Sequence, residues 1–201
     1  QHVTIWINQS GNRWSDPVVI HGTPPVMDVD AVRLVDLLGT GVSGVLWSAG
    51  ANYSGRPSIY FLDLTGGIKP YVMIEMDNNM GAATRVKYAP STRFYLDDAK
   101  KPATRWLTPL PFPVQVVERV EVIDAISRGK LTTCYRYHHG YWDGAEREFR
   151  GFGMVEQIDS ETSDEYGQNG LHGDSVFSPV TGPRFSTPTL TRTWFHQGPV
   201  G

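Results

Sequence analysis

Histidines and acidic residues in the second half of the chain are the first residues whose types could do chemistry. His138 and His139 are adjacent, Asp143 lies close by, and His172-Gly-Asp174 follows downstream. Imidazoles and carboxylates are the usual zinc ligands and acid–base groups. Because neighbouring residues of a strand face opposite ways, a shared metal would take at most one of the adjacent pair. We therefore favour hydrogen bonding and stacking for these histidines, in an aromatic cluster of Tyr135, Tyr137, Tyr141 and Trp142.

Two glutamates form a second candidate. Glu146-Arg147-Glu148 has the two-glutamate spacing found in ADP-ribosyltransferases, and positions i and i+2 of a strand point to the same face. The motif is short, and no companion arginine strand or Ser-Thr-Ser segment occurs in the required order. We favour an exposed charged strand face. An ADP-ribosyltransferase or hydrolase that uses Glu148 remains the alternative enzymatic function.

The remaining chemistry-bearing residues give weaker patterns. Cys134 is the only cysteine, so no internal disulfide or cysteine-rich zinc site can form, and its alternating surroundings predict a buried strand thiol. No Gly-x-Ser-x-Gly segment marks a serine nucleophile. Asp36 lies in a glycine-rich run that resembles FG-GAP propeller repeats, where calcium binds to several acidic residues. Here Asp36 is the one acidic candidate, so we predict a turn without metal. We predict no catalytic residue, cofactor or metal site.

Composition limits the function classes further. The 201 residues carry a formal net charge of −3, which argues against a protein that binds nucleic acid by neutralising phosphates. The 21 glycines and 14 prolines favour many turns and short elements. No apolar run approaches the roughly 20 residues of a membrane-spanning helix. The chain begins Gln1-His2-Val3, and we expect a piece of a longer polypeptide.

The elements that must position these residues are predicted to be strands. Alternating, β-rich segments occur along the chain, a hairpin connection is predicted at 77–81, and no amphipathic helix of useful length is found. Residues 159–187 are polar and predict a long loop. The fold class is therefore all-β, with a change of composition near residues 50–57. The predicted strands are 3–8, 14–20, 30–38, 45–47, 58–64, 71–76, 83–88, 114–126, 131–137, 147–158 and 189–195.

One long motif is far more specific than any of these sites. It runs from Tyr135-Arg-Tyr-His-His-Gly-Tyr-Trp-Asp-Gly to Ala-Glu-Arg-Glu-Phe-Arg-Gly-Phe-Gly-Met-Val-Glu156. It closely resembles the middle region of the B component of bacterial insecticidal toxin complexes (Tc toxins), which is related to virulence-plasmid B proteins and to Rhs/YD-repeat shells. Other segments agree in order, from Arg33-Leu-Val-Asp-Leu-Leu-Gly-Thr-Gly41 to Thr191-Arg-Thr-Trp-Phe-His196.

The resemblance implies a structural role. Residues 1–53 are expected to be a propeller-blade-like segment at the end of a β-propeller, and residues 54–201 the beginning of an Rhs-like β-shell. The family's propeller docks on the translocation channel, the A component, and its shell joins the C component around a toxic cargo. The resemblance thus implies a secreted, bacterial, non-catalytic segment without direct membrane insertion, and the net charge already argued against a nucleic-acid partner. A carbohydrate- or surface-binding β-module, suggested by Trp6, Trp14, Trp47 and Trp142, is a further alternative.

Overall fold

The computed structural model describes most of the chain and divides it into two compact units. The first unit comprises residues 1–38 and 42–67, and the second comprises residues 39–41 and 68–201. The predicted junction between residues 53 and 54 lies outside the described residues. The structure describes residues 1–26, 31–48, 58–159, 163–166, 170–173, 177–178 and 186–198.

Short antiparallel strands form the first unit. They are β1 (His2–Ile5), β2 (Asn8–Gln9), β3 (Arg13–Trp14), β4 (Val18–His21), β5 (Ala31–Val35), β6 (Gly44–Ser48) and β7 (Ile59–Leu62). A hairpin predicted around residues 9–12 is confirmed, because β1 pairs with β4 and β2 with β3. Ser10 and Gly11 turn the chain there with positive φ angles of 56° and 77°. A three-stranded sheet in the order β5-β6-β7 follows, with Val45 and Trp47 of β6 buried.

A six-stranded antiparallel sheet dominates the second unit. The elements of this unit are β8 (Glu75–Asp77), β9 (Ala82–Pro90), α1 (Ser91–Ala99), β10 (Gln115–Asp124), β11 (Gly129–Asp143), β12 (Glu148–Asp159), α2 (Ser163–Tyr166) and β13 (Thr189–Trp194). The strand order β13-β12-β11-β10-β9-β8 places strands that follow one another in the chain side by side. The all-β fold class is confirmed. No helix among the described residues is long and apolar enough to cross a membrane.

The first hairpin of this sheet confirms one prediction and corrects another. Asn78 Oδ1 accepts hydrogen bonds from the Met80 and Ala82 amides, and Asn79 has a φ of 56°, so the connection at 77–81 is a tight turn. The strand predicted over 71–76 is wrong over residues 71–74, because only Glu75–Asp77 forms β8. Tyr71 adopts a φ of 60°, which interrupts an extended strand.

Helix α1, of nine residues, was missed by the sequence-based prediction, which found no amphipathic helix of useful length. It begins after Pro90 and buries Ser91, Phe94 and Asp98, a spacing that puts all three on one face. Ser91 exchanges hydrogen bonds with the backbone of Val114, in which the Val114 amide donates to Ser91 Oγ at 3.0 Å. Two of the three buried side chains are polar, so the helix has no apolar periodicity for a sequence pattern to reveal.

The main core of the second unit lies between α1 and the sheet. Ala89, Phe94, Trp106 and Val116 form the buried cluster, and partly buried aromatic and aliphatic side chains pack around it. The Trp106 and Phe152 rings meet edge to face with centroids 6.0 Å apart. The predicted aromatic cluster is split in this arrangement. Tyr137 packs against Phe94 and Phe152, whereas Trp142 packs against Phe112.

Two irregularities interrupt the strand registers. The pairing of β10 with β9 shifts between Val117 and Arg119, and the pairing of β11 with β12 shifts between Gly140 and Trp142. Bulges of this kind bend a strand and increase its local twist. The sheet is therefore bent at both positions.

Candidate functional site

The structure separates the two glutamates of the enzymatic alternative. Glu146 lies in the turn after β11, and Glu148 is the first residue of β12. They therefore do not share the face of one strand, as the sequence argument required. Both are exposed, and Glu148 Oε2 lies 4.0 Å from Arg150 Nε. This geometry gives the pair no common ligand position.

The two adjacent histidines lie in different surroundings. His139 sits at the β11 irregularity with a φ of 56°, and its carbonyl accepts a hydrogen bond from Gln197 Nε2. It lines a shallow surface pocket with Leu107, Thr108, Gly140, Tyr141 and Gln197. His138 is buried beside α1. The prediction that the pair cannot share one ligand agrees with this arrangement.

His138 belongs to a polar cluster that we call the His138 cluster: Asp98, Trp106, His138 and Glu156, which are largely buried, and Arg192, which is half exposed. His138 Nδ1 lies 2.7 Å from Asp98 Oδ2, and Trp106 Nε1 donates to the same oxygen at 2.6 Å. One carboxylate oxygen of helix α1 thus contacts both Trp106, in the loop after the helix, and His138, on β11. Burial of this carboxylate is compensated by short contacts with two ring nitrogens, of which the Trp106 indole N–H is a donor.

The other side of the cluster joins β12 and β13. His138 Nε2 lies 3.6 Å from Glu156 Oε2, and Arg192 Nε donates to Glu156 Oε1 at 2.9 Å. Burial raises the pKa of Glu156, but the Arg192 hydrogen bond and the charges of His138, Arg192 and Arg136 outweigh it and leave the pKa below its ordinary value. Glu156 is therefore an anion held between cationic side chains.

The other residues considered as metal ligands are dispersed. Asp143 Oδ2 pairs with Arg150 Nη2 at 2.9 Å, and His172 Nδ1 pairs with Glu75 Oε2 at 2.8 Å. Asp174 lies outside the described residues. Asp36 follows β5, and the part of the chain that the structure describes contains no group of three or more metal-binding side chains. Cys134 lies partly buried on β11.

The four tryptophans of the binding-module alternative differ in how exposed they are. Trp6 and Trp14 of the first unit are exposed by 52% and 63%, whereas Trp47 is buried in β6. Trp142, in the second unit, is covered in part by Phe112 at a ring distance of 5.0 Å. Only two of the four could contact a sugar ring without rearrangement.

The two faces of the six-stranded sheet differ in charge. Directly opposed residues of neighbouring strands share a face, so the registers define rows of side chains across the sheet. One face, the charged face, has rows rich in ion pairs, whereas the uncharged face meets charges only near strand ends, at Asp124 and Asp159. The charged rows are Glu75–Arg85–Glu121–Thr132, Lys87–Arg119–Cys134–Ile158–Leu190 and Arg136–Glu156–Arg192. The uncharged rows are Met76–Thr84–Val122–Leu131, Val86–Val120–Thr133 and Tyr135–Gln157–Thr191.

Part of the charged face is covered by the segment between β12 and β13. Glu121, which is fully buried, pairs with Arg119 at 2.8 Å and accepts the Leu171 amide at 2.8 Å. Lys130 lies 4.6 Å from the centre of the Phe177 ring and 5.5 Å from that of Tyr166. Residues in the predicted long loop therefore pack on the sheet, and some of them form α2.

Sequence reasoning singled out His138 but missed its partners. Asp98 is 40 residues away in the chain and lies on the helix that was not predicted. Glu156 and Arg192 stood inside the recognised segments without an assigned role. The alternation of charged with uncharged residues in 85–87 and 119–121 was the available signal for the charged face.

The second unit is an antiparallel β-sheet with ion pairs on one face. The class of protein follows from the family comparison: the model described as the insecticide toxin TcdB middle/N-terminal region matches residues 8–175. The chain belongs to this family. The predicted relationship to the middle region of Tc toxin B components is confirmed.

Solved structures of toxin complexes resemble the chain over nearly its whole length. A crystal structure of TcdB2-TccC3-Cdc42 matches with a TM-score of 0.75 and 34% identity, covering 98% of this chain and 9% of that chain. A Photorhabdus luminescens Tc holotoxin pore structure, with the mutation TccC3-D651A, matches with a TM-score of 0.77 and 33% identity, covering 98% of this chain and 8% of that one. The chain thus spans about a tenth of these matched chains. Among curated proteins, no match was found.

Proposed function

We propose that the chain is a non-catalytic structural and interaction segment of a secreted bacterial toxin complex, in which residues of the second unit form part of a shell wall. The observation that carries the proposal is the six-stranded sheet with one charged and one uncharged face, in a chain of the TcdB family. A wall separates two surroundings, so its faces carry different side chains. Long antiparallel strands supply the continuous backbone hydrogen bonding that such a wall needs.

The division of the chain is part of this proposal. Residues 1–53 would end a β-propeller, and residues 54–201 would begin the shell. The supporting contrast lies between residues up to 67 and residues from 68 onward, because β7 (Ile59–Leu62) pairs with β6 and is grouped with the short antiparallel strands of the first unit, whereas the second unit has much longer strands. Within the described residues, the longest strand of the first unit has 5 residues and the longest of the second has 15.

The proposed partners are the other components of the complex. The related TcdB2 is named together with TccC3 in crystal structures, and a further match is a Tc holotoxin pore. We assign to this chain the corresponding partners, a C component that completes the shell and an A component that forms the channel. Assembly, rather than turnover of a substrate, would then be the role of these residues.

The dispersal of the candidate catalytic groups supports a non-enzymatic role. Glu148 is exposed at the start of β12, and His138 is enclosed by its own cluster. Neither side chain lies beside a serine or cysteine nucleophile in the contacts described above. The metal-ligand candidates pair with arginine or glutamate instead.

A chimera tests the proposal. The 201 residues replace the corresponding region of TcdB2, which is co-expressed with TccC3, and the complex is isolated by size-exclusion chromatography. We expect assembly of the chimera and failure of Thr133→Pro, because proline removes a backbone donor in the interior strand β11. Glu148→Gln should assemble and deliver toxin activity as the parent chimera does. Intact assembly with abolished activity in Glu148→Gln would instead support the enzymatic alternative.

A further inference from the structure

His138 connects three elements of the second unit through its two ring nitrogens. Its side chain is only 8% exposed, with Nδ1 2.7 Å from Asp98 of α1 and Nε2 3.6 Å from Glu156 of β12. Nε2 is buried and has no hydrogen-bond partner at ordinary distance among the residues that the structure describes. A carboxylate therefore faces each nitrogen of one buried imidazole.

The hydrogen-bond partners determine where the first proton lies. The Trp106 indole N–H is only a donor, so the Asp98 oxygen that it contacts is an acceptor. With Asp98 as a carboxylate, which can only accept, His138 Nδ1 contacts the same oxygen as a donor and therefore carries a proton. A neutral ring protonated at Nδ1 presents the lone pair of Nε2 to the Glu156 carboxylate, and two acceptors in that position repel each other.

A second proton on the ring changes this contact from repulsion to attraction. A doubly protonated imidazole donates from both nitrogens, and hydrogen bonds between ionised partners are the strong ones. The charged groups around the ring are Asp98 on α1, Glu156 on β12, Arg192 on β13 and Arg136 on β11. The two arginines keep Glu156 ionised, so the additional proton belongs to His138 rather than to Glu156.

We propose that His138 is a pH-dependent switch in the link from Asp98 of α1 through the imidazole ring to Glu156 of β12. The link is intact while both ring nitrogens are protonated. It weakens when Nε2 loses its proton, because the Nε2 lone pair then repels the Glu156 carboxylate and displaces the ring that holds Asp98. Imidazolium is the form present at lower pH, so the contact loosens as the pH rises. This inference goes beyond the proposed shell function and does not depend on it. Ser91 and Arg93 fasten the first turn of α1 elsewhere, so the end that bears Asp98 is the one affected.

Hydrogen–deuterium exchange of the intact chain tests the switch. Exchange of peptides that cover residues 91–106 is followed by mass spectrometry from about pH 5.5 to about pH 8.5, the range in which histidine titrates, after correction for intrinsic rates. We expect about tenfold faster corrected exchange at the upper end, because the attraction between Nε2 and Glu156 becomes a repulsion that displaces the ring from Asp98.

Glu156→Gln distinguishes a switch from a merely structural contact. The Gln side chain can donate to a neutral Nε2 through its amide or accept from a protonated one through its oxygen, so the pH step should disappear. Glu148→Gln, an identical change at an exposed position of the same strand, should keep the step. A step that persists in Glu156→Gln, or wild-type exchange that does not change with pH, would overturn the proposal.

If Glu156→Gln does not fold, the protonation of His138 can still be measured directly in the wild-type chain. The ¹⁵N chemical shifts of the His138 ring in the wild-type chain report the protonation of each nitrogen. We expect two protonated nitrogens at the lower pH and a neutral ring protonated at Nδ1 at the upper pH. A ring that stays neutral at both pH values refutes the switch.

Discussion

Replacing Gly140 by alanine should destabilise the second unit, because there is no room for a side chain at this position. Gly140 lies buried on β11, and an added Cβ would be 2.7 Å from Trp106 Cζ3 and 2.8 Å from Leu110 Cδ1. Both distances are below any normal carbon–carbon contact, so the two side chains must move. The φ angle of Gly140 is not positive, so the clash, rather than the backbone conformation, determines the cost.

The magnitude depends on how far the neighbours can retreat. Leu110 is flexible at its end, but Trp106 is held by the 2.6 Å hydrogen bond to Asp98 and by edge-on contact with Phe152. Overpacking of this kind costs about 1–3 kcal/mol of stability. Replacing glycine by alanine offsets about 0.4–1 kcal/mol of that cost, because it lowers the conformational entropy of the unfolded chain. We therefore expect Gly140→Ala to lower the free energy of unfolding by about 1–2 kcal/mol.

Gly144→Ala is the matched control on the same hairpin. Nothing lies within 4 Å of its added Cβ, and its φ is not positive. This variant should be as stable as wild type or slightly more stable. Urea unfolding followed by tryptophan fluorescence measures both variants. If Gly140→Ala unfolds within about 0.5 kcal/mol of Gly144→Ala, the described packing of Trp106 and Leu110 is incorrect.

Three further predictions follow from the same unit. Asp98→Ala leaves the two buried ring N–H groups that it accepts without a partner and should cost about 2–4 kcal/mol in urea unfolding, whereas a cost below about 0.5 kcal/mol would contradict the hydrogen bonds. Phe94→Ala removes the aromatic centre of the core and should cost about 3–5 kcal/mol by the same assay, and a cost below about 1 kcal/mol would show that the ring is not packed in this core. Burial raises the pKa of Glu118, but the hydrogen bond and charge of Arg93 and the charge of Lys87 lower it further, so the net pKa is below its ordinary value. The stabilisation from this carboxylate is therefore present above about pH 4.5 and lost as the pH falls through the folded-state pKa, and Glu118→Gln should show a shallower acid-unfolding curve than wild type. Identical acid-unfolding curves would count against this ion pair.

The strands and hairpins were largely predictable because their signals are local. Asp77–Gly81 contains residues that accept a tight turn, and flanking alternation identifies β9 and β10. The toxin family was predictable for a different reason, since the long motif from Tyr135 to Glu156 is specific. Neither signal depends on residues far away in the chain.

Helix α1 and the His138 cluster were not predictable from local pattern. Asp98 is polar, so burying it contradicts the apolar periodicity on which helix prediction depends. Its burial is compensated by Trp106 and by His138, which is 40 residues away. Long-range hydrogen bonds to Asp98 thus stabilise helix α1, whose buried face has no recognisable pattern in the local sequence.

The bulge at Glu118 explains why the charged face was also difficult to derive. Strict alternation along β10 would put Val116 on the same face as Val120. The register shift instead puts Val116 with Arg119, because their partners Ala89 and Lys87 share a face of β9. An extra residue in a strand thus reverses the expected alternation beyond it.

The sorted faces of the sheet restrict how the length of the chain can change during evolution. Loss of one residue at Cys134 would move Arg136 to the uncharged face, away from Glu156, and would displace every later position of β11 in the same way. Loss of two residues would preserve the sorting. We therefore expect single-residue insertions within these strands to be accommodated as bulges like the one at Glu118, while turns such as 77–81 can vary by single residues without this constraint.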